Sequence, residues 1–332
     1  MSALQYTLPD YQSLLNYSQE RHLLVEGGDD RRAFALFLDE LAEQTETRGV
    51  EPVCIDSAED LIEFEGAGNR GKVEIVCSAA SAAPYAERLV GFVDREFRGF
   101  GRDPGLVDRI EGHRVSDRLI WSRGHSVENY YFDFPTLRSP LREFSVTHHV
   151  HDALSLFEAL FEKTIRLACA ASLAGDEMDM LRLVKGSVSQ DIFDICAVGE
   201  ARVSLGSEAW ESTLTGPLGS CSEIAHQMIE RFGFWRKRVE AADFHVVRWM
   251  CHGHIGLAFI WAVYSRCVLE VCRLQGYDGE DAQCEARRVL KAEESVRFNA
   301  CAERWVQRSL GNQCTYPIQV FRLLGLDLPG AH

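Results

Sequence analysis

The sequence predicts an α/β protein: a small parallel sheet covered by helices, followed by a mainly α-helical C-terminal domain. Three observations predict it. Short apolar runs alternate with helical-period segments over residues 20–135. Two of those runs, His22 to Glu26 and Arg88 to Asp94, each end in an acid. From about residue 150 onward, apolar residues recur at spacings of three and four. A boundary near residue 145 is expected, giving domains 1–145 and 146–332.

Residues 1–20 read as a short, partly helical leader. His22-Leu23-Leu24-Val25-Glu26 reads as a strand, broken by Gly27-Gly28. Asp29 and Asp30 suit a helix start, where carboxylates accept from free backbone N–H groups. Ala33, Phe34, Phe37, Leu38 and Leu41 then recur at helical spacing. Glu51 to Ile55 reads as a second strand, and Ser57 as the cap of a short helix. Lys72 to Ala82 is ambiguous by pattern. Helix is the better reading, because a parallel strand after it requires a crossover. Asp117 to Trp121 is a further short strand, and Ser126 a cap for a helix from Val127. In such sheets ligands bind beyond the carboxyl ends of the strands. Glu26 and Asp94 both sit at such ends, so one crevice can hold both although 68 positions separate them. Helices are expected at 151–173, 176–185, 221–240, 243–274, 279–308 and 315–323, with breaks at Gly216-Pro217-Leu218-Gly219 and at Gly276.

With 332 residues, 46% of them hydrophobic, the chain can bury two domain cores. A net charge of −15 argues against a generic nucleic-acid coat protein, which carries a basic stripe. The cations are mostly arginine and are dense from Arg95 to Arg142, the best candidate for a phosphate-contacting surface. None of the eleven cysteines forms a C-x-x-C pair, which excludes zinc-ribbon and thioredoxin readings. Most lie in apolar runs and read as small buried hydrophobes. Their odd count, with no signal peptide, favours a reducing cytoplasm. Ile255 to Tyr264 is too short to span a bilayer and reads as a buried core helix.

Phosphoryl-transfer chemistry needs a clamp for Mg²⁺ and a group that handles the nucleophile. Mg²⁺ takes carboxylate oxygens and keeps several waters. Asp94 and Glu96 are spaced so that both carboxylates can address one site, and Glu26 can add a ligand or a general acid/base. The blander account of each is a solvated strand end, and Glu128 could serve only the first turn of its own helix.

The motifs carry a resemblance. Leu24-Val25-Glu26-Gly27-Gly28-Asp29-Asp30 resembles the first Toprim signature, a hydrophobic strand followed by Glu-Gly and a nearby Asp. Gly91-Phe92-Val93-Asp94-Arg95-Glu96-Phe97 resembles the second, a hydrophobic strand followed by Asp-x-Asp. His125-Ser126-Val127-Glu128-Asn129-Tyr130-Tyr131 resembles a third element. In this order they resemble a Toprim-like bacterial family that includes the nuclease effector AriB of the PARIS anti-phage defence system. That family is related to the OLD-family Toprim nucleases. The resemblance covers roughly residues 20–135, with weaker similarity around Trp249 to Tyr264.

The resemblance implies a metal-dependent endonuclease. Glu26 would be the catalytic glutamate and a metal ligand, Asp94 and Glu96 metal ligands, and Glu128 an additional acid at the metal. Mg²⁺ would be the cofactor, with Mn²⁺ able to replace it. Arg95 and Arg123 are the best-placed candidates to hold the nucleic-acid backbone. The departure is Glu96, where the motif has Asp; one extra methylene alters the metal geometry. Further implied are anti-phage defence and a substrate that is RNA, specifically tRNA, in preference to DNA; the short apolar stretches separately lead to an expectation of no membrane association. An ABC- or AAA-type ATPase partner would hold the nuclease until infection, and the effector would act as a homodimer. A rival expectation is a catalytically degenerate Toprim module that docks on the ATPase and signals without cutting.

Other signals are weaker. Gly66 to Lys72 fits part of a phosphate loop, but Val73 replaces the Mg²⁺-binding Ser/Thr and no clear strand precedes it. A glycine-rich turn before a helix accounts for it. His148-His149-Val150-His151 and Cys251-His252-Gly253-His254 lack the paired spacing of a zinc motif.

Overall fold

The computed structural model describes residues 5–45, 52–218 and 222–326. Glu51 and Cys221, where a strand and a helix are expected to begin, lie outside the described residues. The chain divides into two compact units. The first comprises Met1–Arg98, Ile110–Tyr130 and Trp305–His332; the second comprises Gly99–Arg109 and Tyr131–Arg304. The expected boundary near residue 145 cuts the chain once, whereas this division cuts it four times.

The first unit opens with α1 (Leu8–Tyr17), β1 (Arg21–Val25), α2 (Gly28–Thr45), β2 (Val53–Ser57), α3 (Asn69–Ala80) and β3 (Leu89–Val93). The sheet order is β2-β1-β3-β7-β6, where β6 is Arg114–Ser116 and β7 is Leu119–Trp121. β2, β1, β3 and β7 run parallel, with Leu24 facing Asp56 on one side and Gly91 on the other. β6 is an antiparallel edge strand. All three of its residues are exposed, so it carries no apolar pattern to announce it.

The strand order reverses at β1. The chain leaves β1 for β2 on one side and returns through α3 to β3 on the other. The gap between the carboxyl ends of β1 and β3 is therefore the switch point where such sheets bind ligands. The expected helix at Lys72 to Ala82 is present as α3, as the parallel pairing of β1 and β3 requires.

Alternation along the buried strands gives two cores. Leu24, Leu89 and Val93 pack with Tyr11 and Leu15 of α1 and Val73, Val76 and Cys77 of α3. Gly91 permits the close approach of α3, since an added Cβ would collide with Cys77 Sγ and come within 3.0 Å of Val73 and Leu119. On the other face Phe34 of α2 meets Phe92 edge-on at 4.9 Å. Phe37 stacks on Phe321 at 4.3 Å and meets Trp305 and Tyr316. Burying each such ring contributes about 1.5–3 kcal/mol. This cluster is why the C-terminal segment, including α13 (Ile318–Leu323), belongs with the sheet.

The second unit begins with the hairpin β4 (Phe100–Gly101) and β5 (Val107–Asp108), followed by α4 (Phe134–Glu143) and the long α5 (Val150–Glu177). α6 (Leu181–Gly186), the hairpin β8 (Phe193–Cys196) and β9 (Arg202–Leu205), and α7 (Ser207–Leu218) come next. α8 (Ser222–Glu240), α9 (Phe244–Met250), α10 (Gly253–Leu274) and α11 (Gly279–Val289) complete it with the first part of α12 (Glu294–Leu310). α7 extends through Gly216 and Pro217, so the expected break falls at its end. The break at Gly276 is present, with φ +85°. Within this unit the β4–β5 hairpin is tied by Arg102 to Asp176 at 2.6 Å and by Arg238 to Asp103 at 2.6 Å.

α10 is the one helix among the described residues long and apolar enough to cross a membrane, and 83% of its apolar window is buried inside the protein. Of the ten described cysteines, all free, six are buried and Cys196 and Cys284 are exposed. Cys221 lies outside the described residues.

Candidate functional site

The β1 strand ends at Val25, and Glu26 follows it directly into the Gly27-Gly28 turn. β3 ends at Val93, and Asp94 follows it. The parallel register brings these two ends together, and the Asp94 backbone N–H donates to Glu26 Oε1 at 2.7 Å. The pairing expected across 68 positions is therefore present.

The surroundings are rich in acid. Asp30, in the first turn of α2, is 6% exposed, and its Oδ2 accepts from Gly27 N at 3.2 Å. Glu128 is 1% exposed in the 3-10 turn Val127–Tyr131. Carboxylate oxygens of Asp29 and Glu128 lie within 4.8 Å of one another. Burial pushes the Asp94 carboxyl well above its usual range, and the charges of Asp30, Glu26, Glu128 and Glu96 add to that. Burial likewise raises Asp30, reinforced by Glu26 and Glu128. Glu26 is raised by burial to about 7, against the opposing pull of the Asp94 N–H and the Arg70 charge.

Glu96 is placed differently from its neighbours. The chain turns after β3, Glu96 adopts φ +54°, and its backbone N–H donates to His125 O. Its carboxylate, 48% exposed, pairs with Arg70 Nη1 at 3.3 Å and Arg98 Nη2 at 3.8 Å. It lies at the rim of the acid cluster, near enough to raise Asp94 and Glu26. The turn explains why D-x-E spacing does not bring both carboxylates inward: same-side projection at i and i+2 holds only while the strand continues.

The two arginines singled out in the sequence also differ from each other. Arg95 is fully buried; its Nε donates to Arg98 O at 2.7 Å and its Nη1 to Arg123 O at 3.0 Å. A guanidinium held on backbone carbonyls braces the loop and is not part of an outer surface. Arg123 is half-buried, and its N–H donates to Tyr130 Oη at 3.1 Å. Ser126 does not cap through its hydroxyl; its backbone N–H donates to Asn129 Oδ1 at 2.8 Å.

Two members of the site escaped the sequence reading. Asp30 reads as a helix-start residue and is one, but its carboxylate is also buried against Glu26 and Asp94. Arg70 lies inside the glycine-rich stretch discounted as a phosphate loop. That discount stands on geometry as well: Gly68 caps α3 and Lys72 Nζ donates to the carbonyls of Ala58 and Leu61. Arg70 itself is 6% exposed and donates to Asp94 O at 2.7 Å. The nearby Asp in the Glu-Gly motif was the available signal for Asp30; none pointed to Arg70.

The arrangement fits a cation. Asp94 Oδ1 is buried with no hydrogen-bond partner among the described residues, a costly state for an acceptor. Like-charged carboxylates packed together are stabilised when a cation joins them. Asp29 and Glu128 belong to a group of ligand atoms close enough to hold a metal ion, and hard carboxylate oxygens suit Mg²⁺. No protein-family model matches the chain, and no curated protein matches it.

Proposed function

We propose that the chain is a metal-dependent nuclease of Toprim type, hydrolysing phosphodiester bonds at the Glu26–Asp94 site. One observation carries this reading: the buried Asp94 Oδ1, without a hydrogen-bond partner among the described residues, beside Glu26 at the switch point of a parallel sheet. The motif resemblance supports it independently.

Asp94, Glu26 and Asp30 would hold Mg²⁺ or Mn²⁺, with Glu128 and Asp29 beside them. Bound metal supplies charge that polarises the phosphate and acidifies a water. The chain does the rest. Glu26 Oε1 is fixed on the Asp94 N–H, which leaves its second oxygen to accept the nucleophile's proton. Arg123 and the half-exposed Arg98 hold the nucleic-acid backbone. Arg95 braces the loop that carries them. By resemblance, the substrate is RNA, tRNA above DNA, the role anti-phage defence, the partner an ABC- or AAA-type ATPase, and the active form a homodimer.

The outward Glu96, in ion pairs with Arg70 and Arg98, favours a second reading. It leaves the D-x-E element one inward acid, as in a module that docks on an ATPase without cutting. One experiment separates the two. Purified protein is incubated with tRNA and with duplex DNA in Mg²⁺ or Mn²⁺, beside Glu26→Ala and Asp94→Ala. Nuclease action predicts metal-dependent cleavage that falls at least about 10²-fold in either variant. Metal binding without cleavage, with Glu26→Ala retaining full biological activity, selects the docking module.

A further inference from the structure

Arg70 is a buried cation set against the acid site. Its guanidinium donates through Nε to Glu74 at 2.9 Å and through Nη1 to both Asp94 O at 2.7 Å and Glu96 Oε2 at 3.3 Å. It lies over the Trp121 ring at 4.7 Å. The Asp94 peptide is therefore gripped on both sides: Glu26 takes its N–H and Arg70 takes its carbonyl. The same Nη1 draws the Glu96 carboxylate to the rim. Only a planar fork can reach Glu74 and the Asp94 turn together; an ammonium is a point donor on a flexible stem.

We propose that Arg70 is a positioning residue that sets metal affinity by fixing the Asp94 turn and holding Glu96 at the rim. This inference rests on the metal-site reading above. It runs against simple electrostatics. A cation beside a metal site repels the metal, so on charge alone its removal should tighten binding. If its work is geometric, removing it loosens binding whatever charge replaces it.

Mn²⁺ alone is the probe, titrated calorimetrically into the full chain and followed by electron paramagnetic resonance. Arg70→Gln removes charge and fork; Arg70→Lys keeps charge and loses the fork. Positioning predicts that both weaken Mn²⁺ roughly tenfold, the scale on which groups supporting metal ligands act, and that both broaden the bound-Mn²⁺ spectrum. Wild-type affinity in Arg70→Lys together with tighter binding in Arg70→Gln overturns the proposal. A merely structural role lowers the binding stoichiometry at unchanged affinity, and that result also overturns it. Should the Arg70 variants not fold, Trp121→Leu loosens the guanidinium with no change of charge. Positioning predicts weaker Mn²⁺ binding in that variant, and wild-type affinity there refutes it. Failure of wild type to bind Mn²⁺ removes the metal site itself and this inference with it.

Discussion

Asp94→Asn offers a test in which stability and metal response move in opposite directions. Asp94 sits among Glu26, Asp30 and Glu128, and burial and those charges hold its carboxyl well above the usual range. Two unit charges about 5 Å apart repel by roughly 3 kcal/mol at an effective dielectric near 20. The raised proton affinity relieves part of this at neutral pH, and the new amide must find an acceptor. A net gain of about 1–2 kcal/mol in chelator remains, which raises Tm by roughly 2–8 °C for a domain of this size. Metal reverses the order. At a hundred times its Kd, a ligand bound to the native state contributes about 2.7 kcal/mol, and Asp94→Asn forfeits most of that. Differential scanning calorimetry at pH 8, in EDTA and in Mn²⁺, reads both effects. The variant should melt above wild type in EDTA and below it in Mn²⁺. A variant that melts at or below wild type in EDTA, or keeps the full metal shift, refutes the account of Asp94 as a repelled ligand.

Two further predictions concern the scaffold. Gly91→Ala forces a Cβ against Cys77, Val73 and Leu119 and should cost about 1–3 kcal/mol by overpacking, measured by urea denaturation; an unchanged midpoint would show that α3 is free to retreat. His113 lies 2.6 Å from Tyr130 Oη, and burial with the Arg123 charge lowers it to about 4 from 6.5. Its folded form stays neutral while the unfolded ring takes a proton. The stability it contributes is present above pH 6.5 and is lost as pH falls through 4, up to about 3 kcal/mol. Subtracting the His113→Asn stability profile from that of wild type should isolate this slope between pH 6.5 and 4. A flat difference counts against burial of the neutral ring.

The legible part of this molecule was its local part. Apolar runs ending in Glu26 and Asp94 revealed the two strands and both acids, and the crossover requirement then identified α3. Helices α5 and α8 followed from their apolar spacing, whereas the segments expected at 243–274 and 279–308 are each two helices, α9 with α10 and α11 with α12. What escaped depends on partners distant in sequence. The apolar residues of β8 and β9 do not separate by pattern from the helices around them. Tyr316 and Phe321 fall in a segment read as helix, and both pack on Phe37, a choice made by the tertiary core. Glu96 has the right chemistry at the right spacing, and a single left-handed residue turns it outward. Asp30 shows the opposite case: its helix-start role is readable, whereas its burial against Glu26 appears only once β1 and β3 are side by side.

The aromatic cover over the second face of the sheet has a consequence for synthesis. Phe34, Phe37 and Phe92 are made early, but Trp305, Tyr316 and Phe321 emerge about 200 residues after β3 is complete. At roughly 5–20 residues per second, that delay is on the order of 10–40 s. Through that interval one face of the nascent sheet lacks its lid, and the strand ends that carry Glu26 and Asp94 rest on an unfinished core. A ribosome stalled before Trp305 would therefore display both acids without the packing that aligns them, and the site would mature only as the last segment closes on α2.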